Sequence, residues 1–312
     1  MSNKFLVSLL CILTFSACTP GTSSPDGDGR IRVVATIGQI ADAAQIVGGE
    51  HAAVNGLMGS GVDPHLYLAT EGDVGLLQEA DIIFYNGLHL EAQMANILGQ
   101  LGAQKTVVPV GEAVPPDRLI GDTSAGGIYD PHIWFDVPLW MVAVEAIRDA
   151  YIAHDPENRA DYEANAAAYL EQLAALHVYV SEQAARVPEP QRALVTAHDA
   201  FTYFGRAYGF DVRGLQGIST ASEAGTGDVQ DLAAFIVERQ IRAIFIESSV
   251  PVRNVEALQA AAAAVGWQVE IGGELFSDAM GDPGTPEGTY IGMVEHNIDT
   301  IVNALLGETG GE

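Results

Sequence analysis

Cysteine is almost absent from this chain. Its 312 residues include two cysteines, Cys11 inside an apolar leader and Cys18 directly after it. The rest of the chain has none, so a disulfide framework and a thiolate metal site are both excluded from the folded body. Any metal ion held there needs imidazole and carboxylate ligands.

Basic residues are also scarce. The chain has 14 Lys and Arg residues against 41 Asp and Glu residues, a formal net charge of −27. Binding to phosphate backbones requires concentrated Lys and Arg, so the charge argues against a nucleic-acid partner. It also argues against polybasic attachment to anionic lipid. Two interpretations of the acidity stay open, namely attraction of small cations and simple solubility of an exported protein.

The first residues have the pattern of a targeting segment. An apolar run from Phe5 to Phe15 is followed by small residues and Cys18. This predicts a lipoprotein signal peptide over residues 1–18, with Cys18 as the lipidated first residue of the mature protein. The run is too short for a permanent membrane span. Residues 19–29 are rich in Gly, Ser, Pro and Asp and predict a flexible tether. We expect a lipid-anchored protein of the cell envelope, on the periplasmic or outer-surface side of the membrane.

The remaining chain has the length and patterning of two α/β units. Removing residues 1–29 from the 312 leaves roughly 280 residues, which favours two domains over one. Strand-like apolar runs alternate with helically spaced segments in both halves, as in βαβ units with parallel sheets. The predicted strands are Ile31–Thr36, Val54–Met58, Asp81–Tyr85, Thr106–Val110, Arg192–Thr196, Asp211–Leu215, Ala243–Glu247 and Gln268–Ile271. Among the helices, one is predicted over Leu90–Leu101.

A long uninterrupted segment separates the two halves. Residues 156–187 contain no helix breaker after Pro156, and apolar residues recur there at three- and four-residue steps. A helix of this length spans about 45 Å, more than one small domain needs. We therefore expect two α/β lobes with mainly parallel sheets, residues 30–155 and 188–312, joined by one long rigid helix over 156–187.

The triplet Asp-Pro-His occurs twice, at Asp63-Pro64-His65 and at Asp130-Pro131-His132. Proline fixes its own φ and pushes the preceding Asp into an extended conformation. The histidine that follows has few backbone options, which suits a metal ligand better than a mobile surface residue. The repeat suggests that both imidazoles serve one site.

Two further residues complete a candidate ligand set. His198 follows a predicted strand and precedes a helical segment, and Asp278 lies just beyond another strand. Open α/β sheets bind ligands at the carboxyl ends of their strands. A helix cap is the alternative for Asp278. Three imidazoles and a carboxylate suit Zn²⁺, Mn²⁺ and Fe²⁺, and two ligands from each half would place the ion between the lobes. The other histidines, with His89 the next candidate, are expected in solvated or core-packing roles: His51, His89, His154, His177 and His296.

Four carboxylates are candidates for orienting those imidazoles. Asp63, Asp130 and Asp136 lie close in sequence to the proposed ligands and can accept their second ring N–H. The alternative is that Asp63 and Asp130 only favour the turn. Glu247 ends a very apolar strand, where a buried carboxylate needs a partner, so it is an orienting or gating candidate.

Six segments carry a family resemblance. They read VDPHLYLAT, YDPHIWFDV, LVTAHDAFTYFGRAYGF, GLQGISTASEAGTGDVQDL, IFIESSVP and GGELFSDAMG. In this order they resemble the metal-binding solute-binding proteins of manganese, zinc and iron ABC importers (cluster A-I), most closely the TroA-type lipoproteins, from Arg30 to Leu306. The resemblance implies two lobes bridged by a long helix, with a buried metal ion between them. The ligands it implies are His65, His132, His198 and Asp278.

The resemblance also bears on cargo and partners. Manganese-restricted relatives carry Glu where this chain has His198, and the zinc-specific branch has a His-rich acidic loop where residues 112–129 contain no histidine. A strictly zinc-dedicated role is therefore disfavoured. The implied function is that of an exported monomer that binds one divalent transition metal ion, Zn²⁺, Mn²⁺ or Fe²⁺. It would deliver this cargo to an integral-membrane ABC permease driven by a cytoplasmic ATPase.

Two alternatives belong to other functional classes. A metal-dependent hydrolase needs an open coordination position and a general base, and four protein ligands leave little room for water. The chain also has no His-x-His or His-Glu-x-x-His signature. In a surface adhesin with a structural metal, removing the ion should unfold the protein, whereas a carrier has to stay folded when empty. We expect a carrier and not an enzyme.

Overall fold

The computed structural model describes residues 29–121 and 128–308. The predicted signal peptide, Cys18 and nearly all of the predicted tether lie outside the described residues. The chain forms two lobes of mixed helix and strand, and all five strand pairings within the three described sheets are parallel. The predicted fold class is therefore confirmed.

The first lobe is built on a four-stranded parallel sheet in the order β2-β1-β3-β4. Its strands are β1 (Ile31–Ala35), β2 (Ala52–Gly56), β3 (Ile82–Tyr85) and β4 (Thr106–Pro109). Its helices are α1 (Gly38–Gly48), α2 (Glu71–Glu79), α3 (Ala95–Gly102) and α4 (Val137–His154). The carboxyl ends of these strands lie at one edge of the sheet, where the first Asp-Pro-His follows β2.

Helix α3 begins five residues later than the predicted Leu90. Three consecutive residues before it, Gly87, Leu88 and His89, have positive φ values of 77, 53 and 69°. This left-handed conformation is costly for residues with a Cβ, and it cannot continue into a right-handed helix. The chain instead passes through a short 3₁₀ turn at Ala92–Met94 before α3 starts.

The second lobe contains two parallel pairs, β5 (Ala193–His198) with β6 (Asp211–Gln216), and β7 (Ala243–Glu247) with β8 (Glu270–Leu275). Strand β5 also lies against β7. The helices are α6 (Thr202–Tyr208), α7 (Thr226–Glu238), α8 (Arg253–Ala264) and α9 (Tyr290–Leu306). Strand β8 runs further than the predicted Gln268–Ile271, with a register irregularity opposite β7 between Ile244 and Ile246.

One long helix, α5 (Arg159–Arg186), connects the lobes. It has 28 residues and therefore extends about 42 Å. A 3₁₀ turn at Pro156–Asn158 precedes it, so the regular helix starts three residues after the predicted position. Its buried residues recur at three- and four-residue steps, as predicted: Tyr162, Ala166, Tyr169, Leu173, Leu176, Val180 and Ala184.

The two lobes share a hydrophobic core, which we call the shared core. Across it, Trp140 of α4 stacks on Tyr290 of α9 with ring centroids 5.1 Å apart, and Phe135 stacks on Phe201 at 4.2 Å. The Tyr290 hydroxyl donates to the Trp134 carbonyl at 2.7 Å. Because both lobes bury side chains in the same core, a wide hinge opening would expose a large apolar surface.

A second, smaller cluster, the outer core, lies in the second lobe alone, between its strands and helices α7 and α8. Side chains of strand β7 alternate between the shared core and the outer core, because successive residues of a strand point to opposite faces of the sheet. Ala243 and Phe245 face the shared core, whereas Ile244 packs in the outer core. Within the described residues, no helix has both the length and the apolarity of a membrane span.

Candidate metal centre

Each Asp-Pro-His triplet forms a turn closed by its own aspartate. Asp63 Oδ1 accepts the backbone N–H of His65 at 2.9 Å, and Asp130 Oδ1 accepts that of His132 at 3.0 Å. An Asp side chain that binds the backbone two residues on is a recognised turn-forming contact. The proposed turn role of both aspartates is therefore present, and both imidazoles leave the backbone in a fixed direction.

The two aspartates differ in what else they bind. Asp130 also accepts from Nδ1 of His132 at 2.7 Å, so it fixes the ring and leaves Nε2 as the free ligand atom. Asp63 reaches His65 only through the backbone in the described hydrogen bonds. Its second oxygen accepts the Thr220 hydroxyl of the second lobe at 2.6 Å.

Asp136 has a structural role that differs from the predicted one. Its carboxylate accepts the Leu139 backbone N–H at 3.3 Å and so caps the N-terminus of α4, and it pairs with Arg206 at 3.3 Å. The free N–H groups at a helix start attract such a carboxylate. Asp136 therefore caps α4. Among the described contacts it does not orient an imidazole, which differs from the role predicted for it.

His198 is the last residue of β5 and is held by Glu247, the last residue of the adjacent β7. Glu247 accepts the His198 backbone N–H at 2.8 Å and its Nδ1 at 2.5 Å. Both side chains are fully buried. The carboxylate that the sequence singled out at a buried strand end thus has an imidazole as its partner.

Asp278 lies in the loop after β8, and the first lobe holds that loop. The Ser277 carbonyl accepts from Trp134 Nε1 at 3.1 Å and from Gln39 Nε2 at 3.3 Å. Gln39 also donates to the Asp278 carbonyl at 3.3 Å. A ligand that belongs to the second lobe in sequence is thereby positioned by side chains of the first.

The four predicted ligands converge on one point. The Asp278 carboxylate lies 3.4 Å from Nε2 of His132, 3.4 Å from Nε2 of His198 and 3.6 Å from Nε2 of His65. The Nε2 atoms of His65 and His132 are 3.3 Å apart. One ligand atom from each of the four residues lies within 4.8 Å of all the others. This is the spacing of ligands around a single metal ion.

All four ligands are buried, and three of their ligand atoms have no hydrogen-bond partner among the described residues. His65 is 4% exposed, Asp278 is 1% exposed, and His132 and His198 are fully buried. His198 Nε2 and both Asp278 oxygens accept or donate no hydrogen bond among the described residues. Buried polar atoms nearly always have a partner, so their convergence without one fits a cation bound between them.

Burial and charge shift the pKa values of these groups in different directions. Burial outweighs the nearby carboxylates at His65 and lowers its pKa to about 4. Burial also disfavours the charged form of His132, but Asp130 and Asp278 outweigh it and raise the pKa to about 9. Glu247 and Asp278 likewise raise the pKa of buried His198 well above its usual value. Burial would raise the pKa of Asp278, but the two imidazoles hold it well below the usual range.

The five other histidines do not belong to the cluster. His51 pairs with Asp161 at 2.8 Å, His177 contacts the Tyr208 hydroxyl at 3.2 Å, and His296 contacts the Glu274 carbonyl at 3.0 Å. His89 is exposed in the left-handed turn, and His154 ends α4. Sequence reasoning missed three supporting residues, Gln39, Trp134 and Thr220. Trp134 lies within the segment YDPHIWFDV and Thr220 within GLQGISTASEAGTGDVQDL, which were usable signals, whereas Gln39 lies in none of the six segments.

A model of the ZnuA family, described as the zinc-uptake complex component A, periplasmic, matches residues 33–304. The chain belongs to this family. It is 51% identical over 300 residues to the zinc-binding protein TroA of Treponema pallidum (strain Nichols), covering 95% of this chain and 97% of the relative. It is 46% identical over 302 residues to the manganese-binding lipoprotein MntA of Bacillus subtilis (strain 168), covering 96% and 98%.

The fold agrees with a solved member of the family. The periplasmic zinc-binding protein TroA from Treponema pallidum superposes with a TM-score of 0.87 at 53% sequence identity, covering 89% of this chain and 99% of that one. The predicted resemblance to TroA-type receptors is thereby confirmed, and with it the two-lobe architecture joined by a long helix.

Proposed function

We propose that this protein is an extracytoplasmic receptor that captures one divalent transition metal ion and delivers it to an ABC permease driven by a cytoplasmic ATPase. The observation that carries the proposal is the convergence of four buried ligands, of which His198 Nε2 and both Asp278 oxygens have no hydrogen-bond partner among the described residues. Three imidazoles and one carboxylate suit Zn²⁺, Mn²⁺ and Fe²⁺. The names of the relatives, one zinc-binding and one manganese-binding, support cargo from this group.

The geometry argues against the two alternative functions. A hydrolytic centre requires a metal position open to water and substrate. Here each of the four ligands is 4% exposed or less. A structural metal is disfavoured because two extensive hydrophobic cores, independent of the ion, hold the fold. We therefore propose a carrier that stays folded when empty and has no enzymatic activity.

The proposal is tested by loading the protein with metal. Protein freed of metal by a chelator, then incubated with Zn²⁺ or Mn²⁺ and desalted, should retain one ion per chain by elemental analysis. Its circular dichroism should be the same before and after loading, because a carrier is folded in both states. Cells with and without the gene should differ in uptake of labelled Mn, Zn or Fe. Retention of no ion, or hydrolysis of an ester lost with His198→Ala, would contradict the proposal.

The anchor and the domain limits belong to the same proposal. We propose a signal peptide over 1–18, lipid on Cys18, a tether over 19–29, and a monomer whose lobes 30–155 and 188–312 flank the helix 156–187. Replacing Cys18 by alanine should abolish incorporation of labelled fatty acid and release the protein from the membrane fraction. Labelling retained in Cys18→Ala would contradict the anchor alone, since metal binding does not depend on it.

Metal binding should release protons. At pH 7 the raised pKa values of His132 and His198 leave both imidazoles charged in the empty protein, while the lowered pKa leaves His65 neutral. Metal ligation needs neutral imidazole, so each ion should displace about two protons. Affinity should therefore rise as the pH increases from 7 towards the pKa of His132, about 9. Calorimetric titrations in buffers of different ionisation enthalpy measure the number of protons released, and a value near zero at pH 7 would contradict the assignment.

A further inference from the structure

The three ligand imidazoles differ in the contacts that fix their orientation. The rings of His132 and His198 each have a carboxylate on Nδ1, from Asp130 and Glu247. His65 is fixed instead through its backbone, by Asp63 Oδ1. The direction in which His65 points therefore depends on where the Asp63 carboxylate lies.

The second oxygen of that carboxylate is held from the opposite lobe. Thr220 donates its hydroxyl to Asp63 Oδ2 at 2.6 Å. Thr220 lies in segment 217–225, between β6 and α7, and we call this segment the strap. Its residues are mostly exposed, yet Thr220 is 8% exposed and so is buried against the first lobe. A hydrogen bond to a charged acceptor is stronger than one between neutral groups.

The strap leads into a part of the second lobe that packs in the outer core. Helix α7, which follows it, packs through Leu232, Ala233 and Ile236 in the outer core. The Asp278 loop, in contrast, is bonded directly to Gln39 and Trp134 of the first lobe. Movement of the strap therefore leaves the shared core intact, whereas withdrawal of Asp278 breaks contacts inside it.

We propose that Thr220 is a positioning residue for metal retention: its hydroxyl bond to Asp63 closes the strap over the His65 side of the centre and sets the rate at which the ion leaves. The inference rests on the proposed function and adds that the strap is the segment that moves when the ion is released. When the bond breaks, the Asp63 carboxylate loses its hydrogen bond to the second lobe, and His65 is the ligand freed to move. His132 and His198 stay oriented by their own carboxylates.

The test measures Zn²⁺ release from the full chain after mixing with an excess of a chromogenic chelator. Thr220→Val keeps the shape of the side chain and removes the hydroxyl, and it should raise the dissociation rate about tenfold. Thr220→Ser keeps the hydroxyl and should release Zn²⁺ at the wild-type rate. Ser219→Ala is the matched control, because that hydroxyl lies in the strap and, among the described residues, its one hydrogen bond is with the nearby Ala221 backbone N–H.

Hydrogen exchange gives a second readout that a general loss of stability would not reproduce. Loading with Zn²⁺ should protect the amides of residues 217–225 in the wild type but not in Thr220→Val, while exchange in the shared core stays unchanged. An unaltered dissociation rate in Thr220→Val, an equal increase in Ser219→Ala, or a failure of Thr220→Ser to restore the rate would overturn the inference. Failure of the proposed function gives a different result, because the wild type itself would then retain no Zn²⁺, Mn²⁺ or Fe²⁺. A wild type that retains metal, together with any of the outcomes above, overturns the role of Thr220 alone.

Discussion

Replacing Asp278 by asparagine is expected to lower the affinity for Zn²⁺ and Mn²⁺ by more than about 100-fold, because even residues that only orient a ligand change affinity by 10- to 100-fold. The substitution preserves shape but removes the one anionic ligand, whose two oxygens face all three Nε2 atoms. Competition titration against a chelator of known affinity measures the change. Asp117→Asn removes the same charge from an exposed position and should leave affinity unaltered.

The same variant should also change the empty protein. Asp278 is one of the carboxylates that raise the pKa of His132 to about 9, so Asp278→Asn should lower that pKa. The charged imidazole would then lose a proton at lower pH than in the wild type, which a nuclear magnetic resonance titration of the ring protons can follow. An unchanged His132 titration together with unchanged metal affinity would show that Asp278 does not face the imidazoles.

Replacing Glu91 by alanine is expected to reduce the free energy of unfolding by about 4 kcal/mol, since it leaves several buried donors without an acceptor. Glu91 is 3% exposed, and burial raises its pKa. Its carboxylate accepts the Thr36 hydroxyl at 2.7 Å and the backbone N–H groups of Asn86 at 2.7 Å and Gly87 at 3.1 Å. These bonds fix the start of the left-handed turn at Gly87, Leu88 and His89.

Urea unfolding of the metal-free protein measures this loss. Glu91→Gln keeps one acceptor oxygen and should lose less stability than Glu91→Ala. Glu112→Ala removes an exposed carboxylate near the same turn and should change stability by less than about 0.5 kcal/mol. The Asn86 side chain donates to the Pro131 carbonyl at 3.0 Å, one residue before His132, so Glu91→Ala should weaken metal binding too. Equal unfolding free energies for Glu91→Ala and Glu112→Ala would contradict this account.

Local patterns were enough to locate most of the fold. Strand β7 was predicted with its observed bounds because a run of apolar residues between turn signals fits a buried parallel strand. Helix α5 was predicted because its apolar spacing has no breaker from Pro156 to Pro188. Helix α3 was predicted too long because Glu91, inside the predicted helix, turns its carboxylate back to the Gly87 N–H and supports a left-handed turn at Leu88 and His89, which apolar spacing does not reveal.

The sequence by itself determined the chemistry of this protein. The absence of cysteine beyond Cys18 left imidazole and carboxylate ligands, and two Asp-Pro-His turns, a strand-end histidine and a loop aspartate provided them. Only the tertiary structure decided how these residues are held. Asp136 caps a helix, Glu247 fixes His198, and Thr220 reaches Asp63 from the other lobe. The physical reason is separation along the sequence, because turn and strand preferences depend on residues that are only a few positions apart. The partner of a buried carboxylate is chosen by the packing of segments that lie far apart along the chain.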